Sequence, residues 1–291
     1  MLALFPICVY CTGEYNFPTL PRYIKMKIAV CIKQVPGTTQ VEIDPVTGTL
    51  KRDGVASKMN PYDLYALETA LRIKALTGAE LTAISMGPPQ ATAVLKEAFM
   101  MGADKAFLIS DRKFGGADVL ATSRTIFQGL KATGPFDLII CGKQTTDGDT
   151  AQVGSELAEF FGIPHVTGVC AIGAVTENDL TVEQEFPSCI MTAKLQYPCL
   201  ITVDKGIFEP RLPSYKLKKA TKDREIGILT LDSMEDKDPQ HYGLNGSPTK
   251  VKRIFPPERS VSRESWEGPE SETAEKLFDY LDRNKFLQIP G

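Results

Sequence analysis

Histidine and tryptophan are scarce in this chain of 291 residues, which contains two histidines and one tryptophan. His165 and His241 lie far apart in sequence, and neither accompanies a nucleophile in a recognisable pattern. Cys8 and Cys11 form a C-x-x-C pair, but no second pair follows them to complete a zinc site. We therefore predict no catalytic side chain and no metal centre.

Three nucleotide-binding signatures are also missing. No G-x-G-x-x-G follows a predicted strand. The pair Gly142 and Lys143 is followed by Gln144, whereas a P-loop needs serine or threonine there and an earlier glycine. The first predicted strand ends in CIKQVPG, which lacks the S-G-G-x-D-S loop of an ATP-pyrophosphatase. These absences argue against the common dinucleotide fingerprint, the P-loop and this adenylating class.

Long apolar runs and a strong net charge are absent as well. No apolar run reaches the roughly 18–20 residues that cross a bilayer, and the net charge of −3 gives no basic field for nucleic acid. Seven scattered cysteines are typical of free thiols in a reducing cytoplasm. Residues 1–25 lack a basic start and a small-residue cleavage site. We expect a cytoplasmic protein without a membrane span or nucleic-acid partner, in which residues 1–25 lie outside the fold.

Short apolar runs alternate with amphipathic segments after Met26. Four runs are typical of buried strands, at 27–33, 80–87, 106–110 and 136–142. Four segments have helical periodicity or helix end signals, at 60–78, 88–102, 117–134 and 150–162. This alternation predicts an α/β fold with a doubly wound parallel sheet of the Rossmann-like, adenine-nucleotide-binding type.

The second half of the chain has a different texture. HVTGVCAI, LTVEQEF, CIMTAKL and PCLITVD are strand-like segments that extend or flank the sheet. From Gly206 onward the sequence is rich in proline, glycine and lysine, and an amphipathic helix is predicted at 271–284. We therefore predict an α/β domain at 26–205 and a C-terminal arm at 206–291 that covers a partner chain.

The loop CGKQTTDGDTAQVG, at 141–154, joins a predicted strand to a predicted helix. In an open parallel sheet, ligands bind at the carboxyl ends of the strands, where the strand order reverses. Three other segments should converge there, namely 31–35, 60–63 and 85–88. Three of the four lead into helix N-termini, whose free amides favour a phosphate. The sequence predicts a nucleotide site, with a plain helix cap at Thr150 as the alternative reading of the loop.

Two carboxylates of this loop limit what it can bind. Asp147 and Asp149 lack the D-x-[DN]-x-[DN]-G frame of a calcium loop. Because carboxylates repel a phosphate, we expect both to turn away from it. The amides of 148–152 and the hydroxyls of Thr146 and Thr150 would then face the phosphate.

Several motifs in a fixed order resemble the β subunit of electron transfer flavoprotein: NPYDLYALETALRIK, SMGPPQ, MGADKA, CGKQTTDGDTAQVG and LITVDKGIFEPRLPSYKLKKA. The similarity runs from Met26 to about Arg224. The resemblance implies a heterodimer with an α subunit that carries a flavin. It also implies an adenine nucleotide in this chain, either FAD, as in electron-bifurcating members, or AMP. The form TTDGDTAQVG resembles the bifurcating branch more closely.

The resemblance also implies site residues and partners. The matching cofactor-binding positions are Cys31, Asn60, Pro61, Tyr62, Asp63, Ser85, Met86, Gly142, Lys143, Gln144, Thr145, Thr146, Asp147, Gly148, Asp149, Thr150, Ala151, Gln152 and Val153. In the bifurcating branch, NADH is the electron donor. One electron goes to ferredoxin or flavodoxin, and the other goes through the α-subunit FAD to an acyl-CoA or hydroxyacid dehydrogenase. The AMP alternative implies a single-flavin shuttle that exchanges electrons with acyl-CoA dehydrogenase.

The stretch EPRLPSYKLKKA resembles the recognition loop of this family, with Leu212 at its anchoring leucine. An exposed leucine with lysines around it suits a hot spot with charge steering, and a solvated basic turn is the alternative. A non-redox nucleotide-binding module of similar fold, such as an ATP-binding stress-type domain, is the competing reading of the whole chain. A bound flavin separates that reading from the redox one.

Overall fold

The computed structural model describes residues 26–37, 57–250 and 264–287. The chain divides into two compact units, of which the first ends at Val251 and the second begins at Lys252. The segment 1–25, predicted to be an extension, lies outside the described residues. In the part of the chain that the structure describes, no helix is long and apolar enough to cross a membrane.

The first unit is built around one large sheet. Its strands and a separate strand pair are β1 (Lys27–Cys31), β2 (Gln34–Pro36), β3 (Ser57–Met59), β4 (Glu80–Met86), β5 (Lys105–Ile109), β6 (Leu138–Gly142), β7 (His165–Val175), β8 (Asp179–Phe186), β9 (Cys189–Gln196), β10 (Cys199–Val203) and β11 (Gly227–Leu229). The order in the sheet is β11-β5-β4-β1-β6-β10-β7-β8-β9. Strands β2 and β3 pair with each other and are antiparallel.

Strands β11 to β7 in this order are parallel, and β8 and β9 continue the sheet antiparallel. The helices are α1 (Pro61–Thr77), α2 (Thr92–Met101), α3 (Val119–Thr133), α4 (Val153–Phe161), α5 (Tyr215–Ala220) and, in the second unit, α6 (Glu270–Arg283). The predicted α/β fold with a mostly parallel sheet is therefore confirmed, and the later strand-like segments extend that sheet. The predicted helix at 271–284 is also confirmed.

Two apolar cores lie on opposite faces of the sheet. Ile28 of β1 packs with Leu67 of α1 and Leu95 of α2 in one core. Its neighbour Ala29 packs in the other core with side chains of α3 and α4, including Leu157. Successive residues of a strand point to opposite faces, so continuous apolar runs such as IAV supply both cores. Helices therefore cover both faces of the sheet, as in a doubly wound fold.

Helix α1 follows the sequence signals closely. Asn60 occupies the N-cap position and Pro61 the first helical position. Gly78 ends the helix with φ of 69°, a left-handed conformation that glycine adopts without a steric penalty. The predicted span 60–78 therefore matches the observed helix with its two caps.

Two predicted helix starts are wrong. Helix α2 begins at Thr92 after a 3₁₀ turn at Pro89–Ala91, because Pro88 precedes a proline and is held in an extended conformation. Thr150 does not cap α4, since Gln152 is the N-cap residue and the helix begins at Val153. Asp149 and Ala151 have φ of 37° and 54°, which a right-handed helix cannot contain.

The segment after Gly206 contributes to the first unit. Strand β11 pairs parallel with β5, at the edge of the sheet opposite β9. Tyr242 is fully buried, and its hydroxyl donates to the carbonyl oxygen of Asp236 at 2.5 Å. The first unit thus includes much of the segment predicted to be an arm, while partner wrapping by 206–291 stays a prediction.

Candidate functional site

The strand order reverses between β1 and β6. After β1 the chain adds β4 and β5 on one side, and it then returns to add β6 and β10 on the other side. Cys31 and Cys141 are opposite each other in the parallel register of these two strands. A hydrogen bond with Cys31, together with burial, raises the pKa of the Cys141 thiol. The crevice at the carboxyl ends of β1 and β6 is where an open α/β sheet binds its ligand.

Asn60 joins the three segments that meet at this crevice. Its backbone N–H donates to the carbonyl oxygen of Lys33 at 2.8 Å. Its side-chain Nδ2 donates to the carbonyl oxygen of Gln144 at 2.9 Å, and the N–H of Thr146 donates to its Oδ1 at 3.3 Å. The side chain is fully buried and makes no capping bond to α1. Asn60 therefore holds the 141–154 loop instead of serving its own helix.

Asp63 lies one helical turn further and binds the ends of both strands. The N–H of Lys33 donates to its Oδ2 at 2.7 Å, and the N–H of Gly142 also contributes a hydrogen bond. Burial raises the pKa of Asp63 to about 7, against the opposing effect of its hydrogen bonds with Asn60 and Lys33. A Cβ atom at Gly142 would lie 2.3 Å from Oδ1 of Asp63, so this position requires glycine.

The exposed part of the loop is closed on itself. The N–H of Asp149 donates to the carbonyl oxygen of Thr145 at 3.2 Å. Asp147 forms an ion pair with Nζ of Lys33 at 2.7 Å, so its charge is balanced inside the crevice. At the base of the loop, Nζ of Lys143 pairs with Asp204 at 2.7 Å. Residues 146–152 are exposed at the mouth of the crevice, and the amides of Thr146 and Asp149 are already used within the site.

Lys33 lies in the segment 31–35 that was expected at the crevice, but it was not among the predicted cofactor-binding positions. It lies two residues after the end of β1, its backbone binds both Asn60 and Asp63, and its side chain binds Asp147. The signal was available in the sequence, because residues just after the first strand of such a sheet lie at the ligand-binding edge.

Among the predicted site residues, all of which the structure describes, Ser85 alone has a buried side-chain polar atom without a hydrogen-bond partner. It is 1% exposed at the carboxyl end of β4, next to β1, and its Oγ has no partner within the described residues. An unpaired buried hydroxyl costs about 1–3 kcal/mol, which a ligand contact would offset. Met86, Cys31, Pro61 and Tyr62 are half-buried around the same edge of the sheet.

A cavity of about 570 Å³ adjoins the other side of the loop. Lys143 and Ala151 line it from the loop, and Gly168, Thr202 and Asp204 line it from β7 and the end of β10. Its size is in the range of small-molecule sites. Sequence reasoning did not indicate this cavity, because β7 reaches the loop only through the order of the strands.

The structure thus brings Asn60, Asp63, Gly142, Gln144 and Thr146 into direct or adjacent contact. The remaining predicted positions of the loop surround this group, and Val153 begins the helix that leads away from it. Leu212 lies on a separate surface segment and is 87% exposed. No group of three or more histidine, cysteine, aspartate or glutamate residues suited to a metal occurs in the described ranges.

Comparison with known proteins identifies the family. The family model described as the electron transfer flavoprotein domain matches residues 47–233. The electron transfer flavoprotein subunit beta of Clostridium acetobutylicum is 44% identical over 262 residues, which are 90% of this chain and 100% of the relative. The same subunit of Megasphaera elsdenii is 46% identical over 81% of this chain and 89% of the relative.

A third relative comes from a named complex. The caffeyl-CoA reductase-Etf complex subunit CarD of Acetobacterium woodii is 44% identical over 80% of this chain and 88% of the relative. The domain match covers more than half of this chain, and each of these relatives is covered almost throughout its length. This chain therefore belongs to the electron transfer flavoprotein family, among its β subunits.

Proposed function

We propose that this chain binds the ADP part of FAD in the crevice between β1 and β6, as the β subunit of an electron-bifurcating flavoprotein. Membership of the family implies an α-subunit partner and association with a flavin or nucleotide in general. NADH is the proposed donor. One electron goes to ferredoxin or flavodoxin, and the other goes through the α-subunit FAD to a partner dehydrogenase in the cytoplasm.

The observation that carries this proposal is the bridge from Asn60 to the loop. A buried asparagine at an N-cap would ordinarily satisfy the first amides of its own helix. Here both polar atoms of the side chain are used on Gln144 and Thr146, so the side chain makes no capping bond, and the first amides of α1 donate to the backbone carbonyl oxygen of Asn60 instead. The loop and the helix start are thereby fixed side by side before any ligand binds, as preorganised anion sites are.

The charges of the crevice are compatible with a pyrophosphate. Lys33 neutralises Asp147, and the pKa of Asp63 near 7 allows that carboxyl group to be uncharged beside an anion. The buried Oγ of Ser85 has no partner within the described residues, and the amides of 148–152, apart from that of Asp149, are the groups proposed to face the phosphate. Ser85, Lys33 and these amides are the groups that would hold the nucleotide, and Asn60 would hold the loop that presents them.

FAD, if bound here, would supply hydride and single-electron chemistry. The chain itself offers positioning and electrostatics in the crevice, and no histidine takes part in it. Asn60 and Asp63 fix the loop against the sheet, and Gly142 allows the close approach of these elements. Because the flavin would carry the redox chemistry and the chain would only position it, the site needs few acid–base groups.

AMP is the alternative ligand. The loop held by Asn60 and the unpaired Oγ of Ser85 are compatible with any adenine nucleotide and do not by themselves require a flavin ring. In that case the chain supports a single α-subunit FAD that exchanges electrons with acyl-CoA dehydrogenase. The loop form TTDGDTAQVG favours FAD, and it is the sequence feature on which the bifurcating proposal rests.

The proposed partner dehydrogenase is of the acyl-CoA class, with a hydroxyacid dehydrogenase as the alternative. A relative with 44% identity is a subunit of a complex named for a caffeyl-CoA reductase, which supports a partner that acts on CoA thioesters. Leu212, which is 87% exposed, is the proposed anchor, and the neighbouring lysines supply charge steering.

A cofactor count tests the proposal. The chain is co-produced with its α subunit, and the acid-released ligands of the purified pair are quantified by chromatography. Two FAD per heterodimer without AMP is the expected result. One FAD and one AMP would replace the bifurcating mechanism with the single-flavin shuttle. A heterodimer with neither nucleotide in this chain would remove the proposed site.

A further inference from the structure

Contacts at both ends hold the segment 208–214, called the docking segment below, against the helices of one sheet face. At its start, the guanidinium of Arg72 in α1 lies 4.4 Å from the centre of the Phe208 ring. At its end, the N–H of Ser214 donates to the carbonyl oxygen of Met100 in α2 at 2.9 Å. The docking segment therefore crosses from α1 to α2 with both of its ends attached.

Glu68 of α1 holds the middle of the docking segment. Its Oε2 accepts from Nε of Arg211 at 2.7 Å and from the backbone N–H of Arg211 at 3.2 Å. Its Oε1 accepts from Nη2 of Arg211 at 3.1 Å and from Nε of Arg72 at 2.9 Å. Burial alone would raise the pKa of Glu68, but the hydrogen bonds of the two arginines outweigh it and lower the pKa.

Glu68 and its two arginine partners differ in how far they are buried. The Glu68 side chain is 3% exposed, whereas both arginine side chains are nearly half exposed. A buried carboxylate that lost its partners would be strongly unfavourable, so Glu68 keeps Arg211 in place. The planar guanidinium fork fixes direction as well as distance, and the additional bond from the backbone N–H fixes the main chain at this residue.

Leu212 follows Arg211 directly and is 87% exposed. A leucine that is merely exposed to solvent gains nothing from a main chain that is fixed on both sides of it. An anchor that must enter a partner pocket does benefit, because a preordered loop loses less conformational entropy on binding. The flanking prolines at 210 and 213 restrict the same stretch further.

We propose that Glu68 is a positioning residue for partner docking, because it clamps Arg211 and so presents Leu212 in a single direction. This inference rests on the proposed docking function of Leu212. The partner is a protein with an apolar pocket for one leucine side chain, and the acyl-CoA dehydrogenase class is the probe. Glu68 itself makes no contact with that partner.

A double-mutant cycle tests this positioning role in the intact heterodimer. The variants are Glu68→Gln, Leu212→Ala and the two combined, and binding to an immobilised acyl-CoA dehydrogenase gives the dissociation constants. We expect Glu68→Gln to weaken binding by about three- to tenfold, mainly in the dissociation rate. In the Leu212→Ala background the same change should have little effect, because the group that Glu68 positions is gone.

Two further variants test whether any weaker binding comes from a general loss of structure. Arg211→Lys keeps the charge but not the two-pronged contact, and it should weaken binding in the same direction. Glu80 of β4 pairs through its Oε1 with Nζ of Lys105 at 2.9 Å. Glu80→Gln removes this carboxylate and should leave binding unchanged. Hydrogen exchange of the Arg211 amide should accelerate in Glu68→Gln, while flavin content and the limiting rate of electron transfer stay constant.

The outcomes separate the two claims. Equal binding by Leu212→Ala and the unaltered protein would remove the docking function and the positioning role together. Weaker binding by Leu212→Ala, with Glu68→Gln binding normally, would overturn the positioning role alone. The same result follows if Glu68→Gln weakens binding equally in both backgrounds, since the two residues would then act independently.

Discussion

The side-chain amide of Asn60 donates to the carbonyl oxygen of Gln144, which lies 84 residues later in the chain, at 2.9 Å. The bond connects the start of α1 to the loop after β6 at the point where the strand order reverses. The loop conformation is therefore imposed by a side chain from another element. This relationship underlies the first prediction.

Asn60→Ala should loosen the loop and reduce nucleotide retention. The substitution leaves the carbonyl of Gln144 and the N–H of Thr146 without their partner, at a cost of about 1–3 kcal/mol. We expect the purified heterodimer to lose most of its β-site nucleotide on dialysis, as measured by acid release and chromatography. Asn178→Ala, at an exposed turn between β7 and β8, is the control. Full retention by Asn60→Ala would contradict the proposed role.

Gly142→Ala should destabilise the fold around the crevice. Its Cβ would lie 2.3 Å from Oδ1 of Asp63 and 2.8 Å from the carbonyl carbon of Tyr62, so the backbone must move. We expect a loss of about 2–3 kcal/mol in the free energy of unfolding, measured by urea titration. In the same loop, the Cβ of Gly148→Ala would lie 3.5 Å from Oγ1 of Thr145 and 4.0 Å from Nζ of Lys33, which are ordinary contacts. Similar losses for the two variants would show that the close approach is not the cause.

Asp63 should give the protein a distinctive dependence of stability on pH. Its pKa is raised by burial from 3.8 to about 7, so the folded state holds a proton that the unfolded state releases. The stability from this group is fully present below the unfolded pKa and is lost as pH rises through the folded pKa. Between these values the free energy of unfolding should fall by about 1.4 kcal/mol per pH unit from this group.

Asp63→Asn removes this contribution. The difference in unfolding free energy between the variant and the unaltered protein should shift in favour of the variant as pH rises from about 4 to 7, and then level off. Urea unfolding of the heterodimer at a series of pH values measures it. Asp232→Asn changes an exposed aspartate, and the difference in unfolding free energy between this control and the unaltered protein should stay constant with pH. A pH-independent difference for Asp63→Asn would refute the raised pKa.

Leu212→Ala should weaken docking to the dehydrogenase without changing cofactor content. Removing an anchoring side chain from a partner pocket costs about 2 kcal/mol or more, which is roughly thirtyfold in affinity. Electron transfer at subsaturating partner should slow accordingly and recover at saturation. Leu76→Ala, at another exposed leucine near the end of α1, is the matched control. Comparable electron transfer by Leu212→Ala and the unaltered protein would defeat the docking proposal.

Local signals predicted the helix and strand pattern well where neighbouring residues decide the conformation. Pro61 and Gly78 mark the ends of α1 because proline and left-handed glycine geometry act within one turn, and Asn60 occupies the N-cap position without a side-chain capping bond. The start of α4 was misplaced, because Thr150 looks like a cap in sequence. The left-handed conformations of Asp149 and Ala151 accompany a loop that is pinned by Lys33 and Asn60, and neither partner is visible from local sequence.

The sequence by itself determined the parallel α/β architecture, because buried strands and amphipathic helices each have their own hydrophobic period. It also determined which loops reach the ligand edge, since parallel strands end on one side of the sheet. Only the tertiary structure decided the pairings across that edge: Lys33 with Asp147, Asn60 with Gln144, and Glu68 with Arg211. These contacts join residues far apart in the chain, and their geometry depends on how the completed sheet brings the elements together.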